Sequence, residues 1–193
     1  MPRQRITHEM VVQAAFELAR QGGMEAVRVK ALAEKLGCSV QPVYSYCQSM
    51  DHLRREVTDA AGRYLQRYVQ AHAGPDGQPD SMALAYIRFA KEEPHLYRLY
   101  FLREREDVRS LADVFAAEAN PKLTQRLALQ QQLSPDAARA LHLHLMIYNT
   151  GLSFILSALG SHADIGETAR LLGQAHAAFS GWIHTQNQKE AVP

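Results

Sequence analysis

Two short helical runs joined across one glycine constrain this chain more than any other feature of its sequence. The first reads Val29 to Leu36, with Val29, Leu32, Ala33 and Leu36 facing inward. Gly37 stops it, because glycine takes positive φ at no steric cost. Ser39 can cap the second run, which continues about two turns to Tyr46. Pro42 supports that start point: a proline is harmless only where amides have no internal partner, in the first helical turn. In the second run Val40, Val43 and Cys47 are expected to face the core, leaving Gln41, Pro42, Ser45 and Tyr46 outward. A third run precedes the pair. Thr7 can cap it, and Ile6 and Val11 have the spacing of a hydrophobic staple. Val11, Ala14, Ala15 and Leu18 then line one face, and Gly22-Gly23 ends it.

Three helices of which the last two meet at a glycine-containing three-residue turn form a helix-turn-helix. In that arrangement the last helix must be short and narrow enough for a DNA major groove, with its N-terminal residues near base edges. The segment from Gly37 to Tyr46 meets that requirement.

The rest of the chain predicts an all-α fold, since no segment alternates apolar and polar residues between turn dipeptides. Ser49 can cap a fourth helix reaching about His72, and the run from Ala73 to Asp80 is the one clear linker. Further helices are expected at about 80–93, 94–103, 106–119 and 121–132, with Pro94 and Pro121 each in a first turn. Two longer ones follow, Pro135 to Leu159 capped by Ser134 and Ile165 to Gln186 capped by Asp164. The expected domains are therefore a DNA-binding head over 1–50, linked through the helix 50–72, and a body over 73–193.

With 47% hydrophobic residues among 193, the chain can bury a core without disulfides or metal. Its two cysteines, Cys38 and Cys47, are no disulfide framework and suit a reducing cytoplasm. They bracket the second short run, where they read as small apolar fillers rather than a redox pair. Residues 1–63 hold nine Lys/Arg against seven Asp/Glu, a net of +2, while the remaining twelve basic and thirteen acidic residues net −1. That asymmetry permits a nucleic-acid-facing head without requiring one. Arg3 and Arg5 are not followed by an apolar core segment, so no signal peptide is expected. From Ala140 to Ala163 no charged residue occurs, but His142, His144, Asn149, Thr150, Ser153 and Ser157 favour a buried helix over a membrane span. No metal site, catalytic motif or phosphate-cradling loop is found, so neither cofactor nor enzymatic activity is expected.

The run from Gly37 to Leu53 resembles the signature of tetracycline-repressor (TetR) type regulators: a glycine, a small apolar residue, Ser, three variable residues, an apolar residue, Tyr, and an aromatic two further on. The resemblance covers about residues 5–55. It implies a homodimer on two-fold symmetric operator DNA, with an effector cavity in the C-terminal body. Carried over residue by residue, it assigns Tyr44 to a phosphate and Tyr46 to another backbone contact. Ser39 caps the recognition helix and also touches phosphate, Gln41 and Pro42 lie where base edges are read, Ser45 lies on the same face, and Lys30 approaches the backbone. Three positions depart from the family pattern. Met50 stands where a phosphate-contacting Lys is usual, Cys47 replaces an aromatic, and Arg28 replaces a capping Ser or Thr. The loss at Met50 shifts phosphate affinity toward Lys30, Arg3 and Arg5.

The body resembles the family more loosely, in the helix-Pro-helix run from Tyr86 to Phe101. Tyr86, Phe89 and Tyr97, with Met146, Tyr148 and Phe154 on the uncharged helix, are the candidate ligand contacts. Leu145, Leu152, Leu156 and Leu159, facing Leu172, Ala175, Phe179 and Ile183, are expected to form a four-helix dimer seam, with Gly151, Gly173 and Gly181 allowing close approach. The expected function is thus a cytoplasmic DNA-binding regulator, a repressor released by a small apolar or aromatic effector. The alternatives are a ligand-independent DNA-binding protein and an all-helical lipid or small-molecule carrier.

Overall fold

A computed structural model describes residues 6–47, 49–74, 79–105, 108–159 and 164–190. Arg3 and Arg5, and residues 75–78 of the expected linker, lie outside them. Among the described residues there are ten α-helices, one 3-10 turn and no strand: α1 His8–Gly22, the turn Met24–Ala26, α2 Val29–Leu36, α3 Val40–Tyr46, α4 Met50–His72, α5 Pro79–Glu92, α6 Pro94–Phe101, α7 Leu111–Glu118, α8 Pro121–Gln131, α9 Pro135–Leu159 and α10 Ile165–Glu190. The all-α expectation holds. The helix expected from 106 starts later, at Leu111. Ser110 and Asp113 form a reciprocal capping box there, each side chain accepting from the other's backbone N–H, and this fixes the first turn.

The chain divides into two compact units, residues 1–71 with 92–103, and residues 72–91 with 104–193. In the first, Thr7 caps α1 by accepting the Met10 N–H, and Ser49 caps α4 by accepting the His52 N–H. The core of this unit gathers Val11, Ala14, Ala15 and Ala19 of α1, Val27, Leu32 and Ala33, Val43 of α3, and Leu53 and Val57 of α4. Full burial of each large aliphatic side chain is worth about 1.5–3 kcal/mol, so the short helices are held by this shared core rather than by their own length. Helix α6, although beyond residue 73, belongs to this unit. It packs on α1, and Tyr100 lies against Gly62 of α4, where an added Cβ would come within 2.6 Å of the ring.

A polar lock reinforces that packing. Glu93, only 7% exposed, accepts two hydrogen bonds from the Arg20 guanidinium and one from the Tyr64 hydroxyl at 3.2 Å. Its neighbour Glu92 accepts from the Tyr68 hydroxyl at 2.6 Å.

In the second unit α8, α9 and α10 pack together around Leu127, Leu133, Ala138, Leu141 and Ile183. Ile87 of α5 joins Leu156 and Leu172 in a further apolar cluster. Ser134 and Asp164 cap α9 and α10 as expected, accepting from Ala137 N–H and Gly166 N–H. His176 of α10 hydrogen-bonds both Asp80 and Gln131, at 2.7 and 3.0 Å. His142 is buried against Phe115 and hydrogen-bonded to Thr124 at 2.7 Å; burial pulls its pKa down to about 4. No helix among the described residues is long and apolar enough to cross a membrane.

The expected dimer seam needs correction. Leu156, Leu172, Ala175 and Ile183 are buried within this one chain, and Leu145, Leu152 and Phe179 are half-buried against the same clusters. A helix as long as α9 has two apolar stripes, and of the α9 leucines expected at the seam all but Leu159 lie on the inward one. The outward stripe carries Ile147, Phe154, Ile155 and Leu159, at the i, i+7, i+8, i+12 spacing of one helical face. On α10 Trp182 is 48% exposed. A Cβ added at Gly151, Gly173 or Gly181 would meet open space.

Candidate nucleic-acid interface

The turn between α2 and α3 is built by hydrogen bonding and one special dihedral. Gly37 sits at φ 63°, ψ 33°, in the left-handed region. From there its N–H reaches the Glu34 carbonyl at 3.1 Å and the Cys38 N–H reaches that of Ala33 at 2.9 Å, the paired bonds of a Schellman motif. The chain then reverses into α3, seven residues long, of which Val43 alone is buried. Cys38, Tyr46 and Cys47 pack on the core from its edge as half-buried groups. At the far end the Cys47 N–H donates to the Val43 carbonyl at 3.0 Å, and the His8 ring lies 3.0 Å from the Tyr46 carbonyl.

Most of what remains of α3 faces solvent. Ser39, Gln41, Tyr44 and Ser45 are exposed, Tyr44 at 61% despite its aromatic ring, and Lys30 of α2 is exposed as well. Pro42 is half-buried. Ser45 donates its hydroxyl back to the Gln41 carbonyl at 3.1 Å, which leaves the oxygen lone pairs outward.

Three expectations fail locally. Ser39 occupies the N-cap position of α3 but its side chain makes no capping bond. An N-cap oxygen normally accepts from the second or third helical residue, and the third here is Pro42, which has no N–H. Val40, assigned to the core, is 41% exposed: it has the right spacing, but it sits at the helix tip. Tyr46, assigned outward, is instead half-buried on the core. Sequence reasoning also missed His8. Its partners, Tyr46 and Glu56, lie 38 and 48 residues away, and no local spacing could reveal them.

Arg28 holds the N-cap position of α2 with no side-chain cap and instead donates to the Glu25 carbonyl at 2.9 Å. Cys47 stays a free thiol, and burial raises its pKa, which makes it less reactive rather than more. Of the candidate ligand contacts, Tyr97 is buried in the first unit, whereas Tyr86, Phe89, Met146, Tyr148 and Phe154 belong to the second. Within the second, Phe89 is fully buried and Phe154 is 45% exposed.

A family model described as bacterial regulatory proteins, tetR family, matches residues 11–57, the span from the first core valine through the recognition helix to Val57. The chain belongs to the TetR family. It is 31% identical over 108 residues to the uncharacterized HTH-type transcriptional regulator YobS of Bacillus subtilis, across 53% of this chain and 55% of that protein. It is 30% identical over 139 residues to the HTH-type transcriptional repressor Rv1353c of Mycobacterium tuberculosis, across 71% of this chain and 44% of that one. The chain thus spans about half the length of these curated relatives. Among solved structures it is similar to the transcriptional regulator SCO7222, a TetR from Streptomyces coelicolor, with a TM-score of 0.60 and 18% identity over 91% of this chain and 98% of that one. The likeness establishes the TetR fold, a helix-turn-helix followed by a helical C-terminal domain.

Proposed function

We propose that this TetR-family chain is a cytoplasmic, DNA-binding transcription repressor that works as a homodimer and leaves its operator when a small apolar or aromatic effector binds. The observation that carries the reading is α3: a two-turn helix fixed from below by Val43, with Gln41, Tyr44 and Ser45 projecting into solvent. In this reading Gln41 and Pro42 meet base edges, where a Gln amide pairs well with adenine. Val40, exposed beside them, offers an apolar contact for a thymine methyl. Tyr44, Ser39, Ser45 and Lys30 hold phosphates, and Tyr46 contributes through its hydroxyl at the edge of the helix.

The dimer forms through the outward face of α9 and α10. Ile147, Phe154, Ile155, Leu159 and Trp182 supply the apolar area, and the exposed glycines let the helices approach closely. Phe154 serves that face rather than an effector. The effector acts on Tyr86, Phe89, Met146 or Tyr148 in the second unit, and Tyr97 lies on the route to the head. That route is α6, whose Tyr100 abuts α4 at Gly62. Typical couplings between such sites are about 1–3 kcal/mol.

The test is capture of genomic DNA fragments by the purified protein, followed by sequencing. The expected result is a small set of enriched sites, lost for the Gln41→Ala, Tyr44→Phe double variant. Uniform recovery of all fragments, or the same sites with the double variant, would refute it.

A further inference from the structure

Helix α3 ends with its last carbonyls lacking partners inside the helix, as every helix does, and with only one buried side chain to hold it. His8, at the start of α1, meets that end. Its Nδ1 lies 3.0 Å from the Tyr46 carbonyl oxygen and its Nε2 lies 2.8 Å from Glu56 Oε1 on α4. A carbonyl and an ionised carboxylate only accept hydrogen bonds, whereas a neutral imidazole has a single N–H. Both contacts are therefore made together only when His8 carries two ring protons and a positive charge. That charge also faces the negative end of the α3 dipole.

We propose that protonation of His8 locks the recognition helix onto α1 and α4, making proton concentration a second input to DNA binding; this rests on the regulator reading above.

The charged and titratable groups around His8 are few. Glu9 follows it on α1. From α4, Glu56 bonds it directly, His52 stands 3.7 Å from the second Glu56 oxygen, and Arg63 and Arg67 line the same groove. The Cys47 thiol, just past α3, also feels the Glu56 charge. The Glu56 and Tyr46 bonds raise the His8 pKa above its ordinary 6.5. A base with a raised folded-state pKa stabilises the folded arrangement fully below its ordinary value and loses that contribution as pH climbs through the raised one. The lock is closed below the ordinary histidine value and opens as pH climbs through the raised one.

Two measurements on the whole protein, each at pH 6 and pH 8 and at constant ionic strength, test this. In the free protein, NMR should show the His8 ring titrating above 6.5, and Glu56→Gln should lower that midpoint. Protection of the Cys47 amide against exchange, taken as the ratio of wild type to His8→Gln, should be greater at pH 6. On DNA, the wild type should bind a captured site about two- to fivefold tighter at pH 6 than at pH 8, beyond any change shown by His8→Gln. A ring midpoint at or below 6.5, or identical pH dependence in the two proteins, overturns the proposal. Absence of DNA binding at both pH values would instead sink the regulator reading, and the exchange ratio would still decide the lock.

Discussion

Tyr44 shows how much a single residue can say about this surface. An aromatic ring that is 61% exposed gains little from burial, so its value must come from something it meets. Tyr44→Phe removes the hydroxyl alone. Thermal denaturation should leave the melting temperature unchanged, while operator affinity measured by fluorescence anisotropy should drop about tenfold, as expected for a hydrogen bond to a charged group. His142 makes the opposite case, a residue with a structural role and a pH signature. Its folded pKa of about 4 lies below the 6.5 of an unfolded histidine. Between these values the unfolded chain binds more protons, so stability falls as pH drops from about 6.5 toward 4. Denaturant titrations across that range should show the loss, and His142→Phe should flatten it. Ser39 marks a limit of reading residues singly. As a serine before a helical run it promises a cap, and the proline three positions on removes the amide that would complete it.

At the scale of elements, helix boundaries were mostly legible because they are set by local chemistry. Thr7, Ser49, Ser134 and Asp164 cap as their sequence positions foretold, and Gly37 takes the left-handed dihedral its place requires. Which face of a helix points inward was less legible, because that depends on partners distant in sequence. Val40 shares the spacing of Val43 and Cys47 but stands beyond the elements they pack on. The two apolar stripes of α9 could not be told apart by periodicity alone. The attachment of α6 to α4 is a further case, resting on a glycine whose neighbour comes 38 residues later. Gly62→Ala should press a methyl into the Tyr100 ring and cost about 1–3 kcal/mol, read as a lower denaturation midpoint. Arg20→Met should cost a similar amount, about 1–3 kcal/mol, by leaving part of the buried Glu93 carboxylate without donors. If α6 carries the effector signal, Gly62→Ala should also weaken the response of DNA binding to whatever ligand releases the wild type.

For the whole molecule, the family and the all-α class were readable from one motif and from the absence of strand patterning. The division into units was not, since the chain returns to the head at Glu92 after leaving it at His72, and no composition shift marks that return. In the proposed repressor two recognition helices act together, one from each protomer. Ile155→Asp places a charge in the middle of the outward α9 face. Sedimentation should then show monomers at concentrations where the wild type is dimeric, with the helical content of each chain little changed because Ile155 is 57% exposed within its own chain. The most direct test is a hydroxyl-radical footprint of the wild-type protein on a captured genomic site. Two symmetric protected patches on one face of the DNA, their centres about 34–36 Å apart or a multiple of it, are what a dimer presenting α3 twice must leave. A single patch, or protection spread evenly along the duplex, would contradict it.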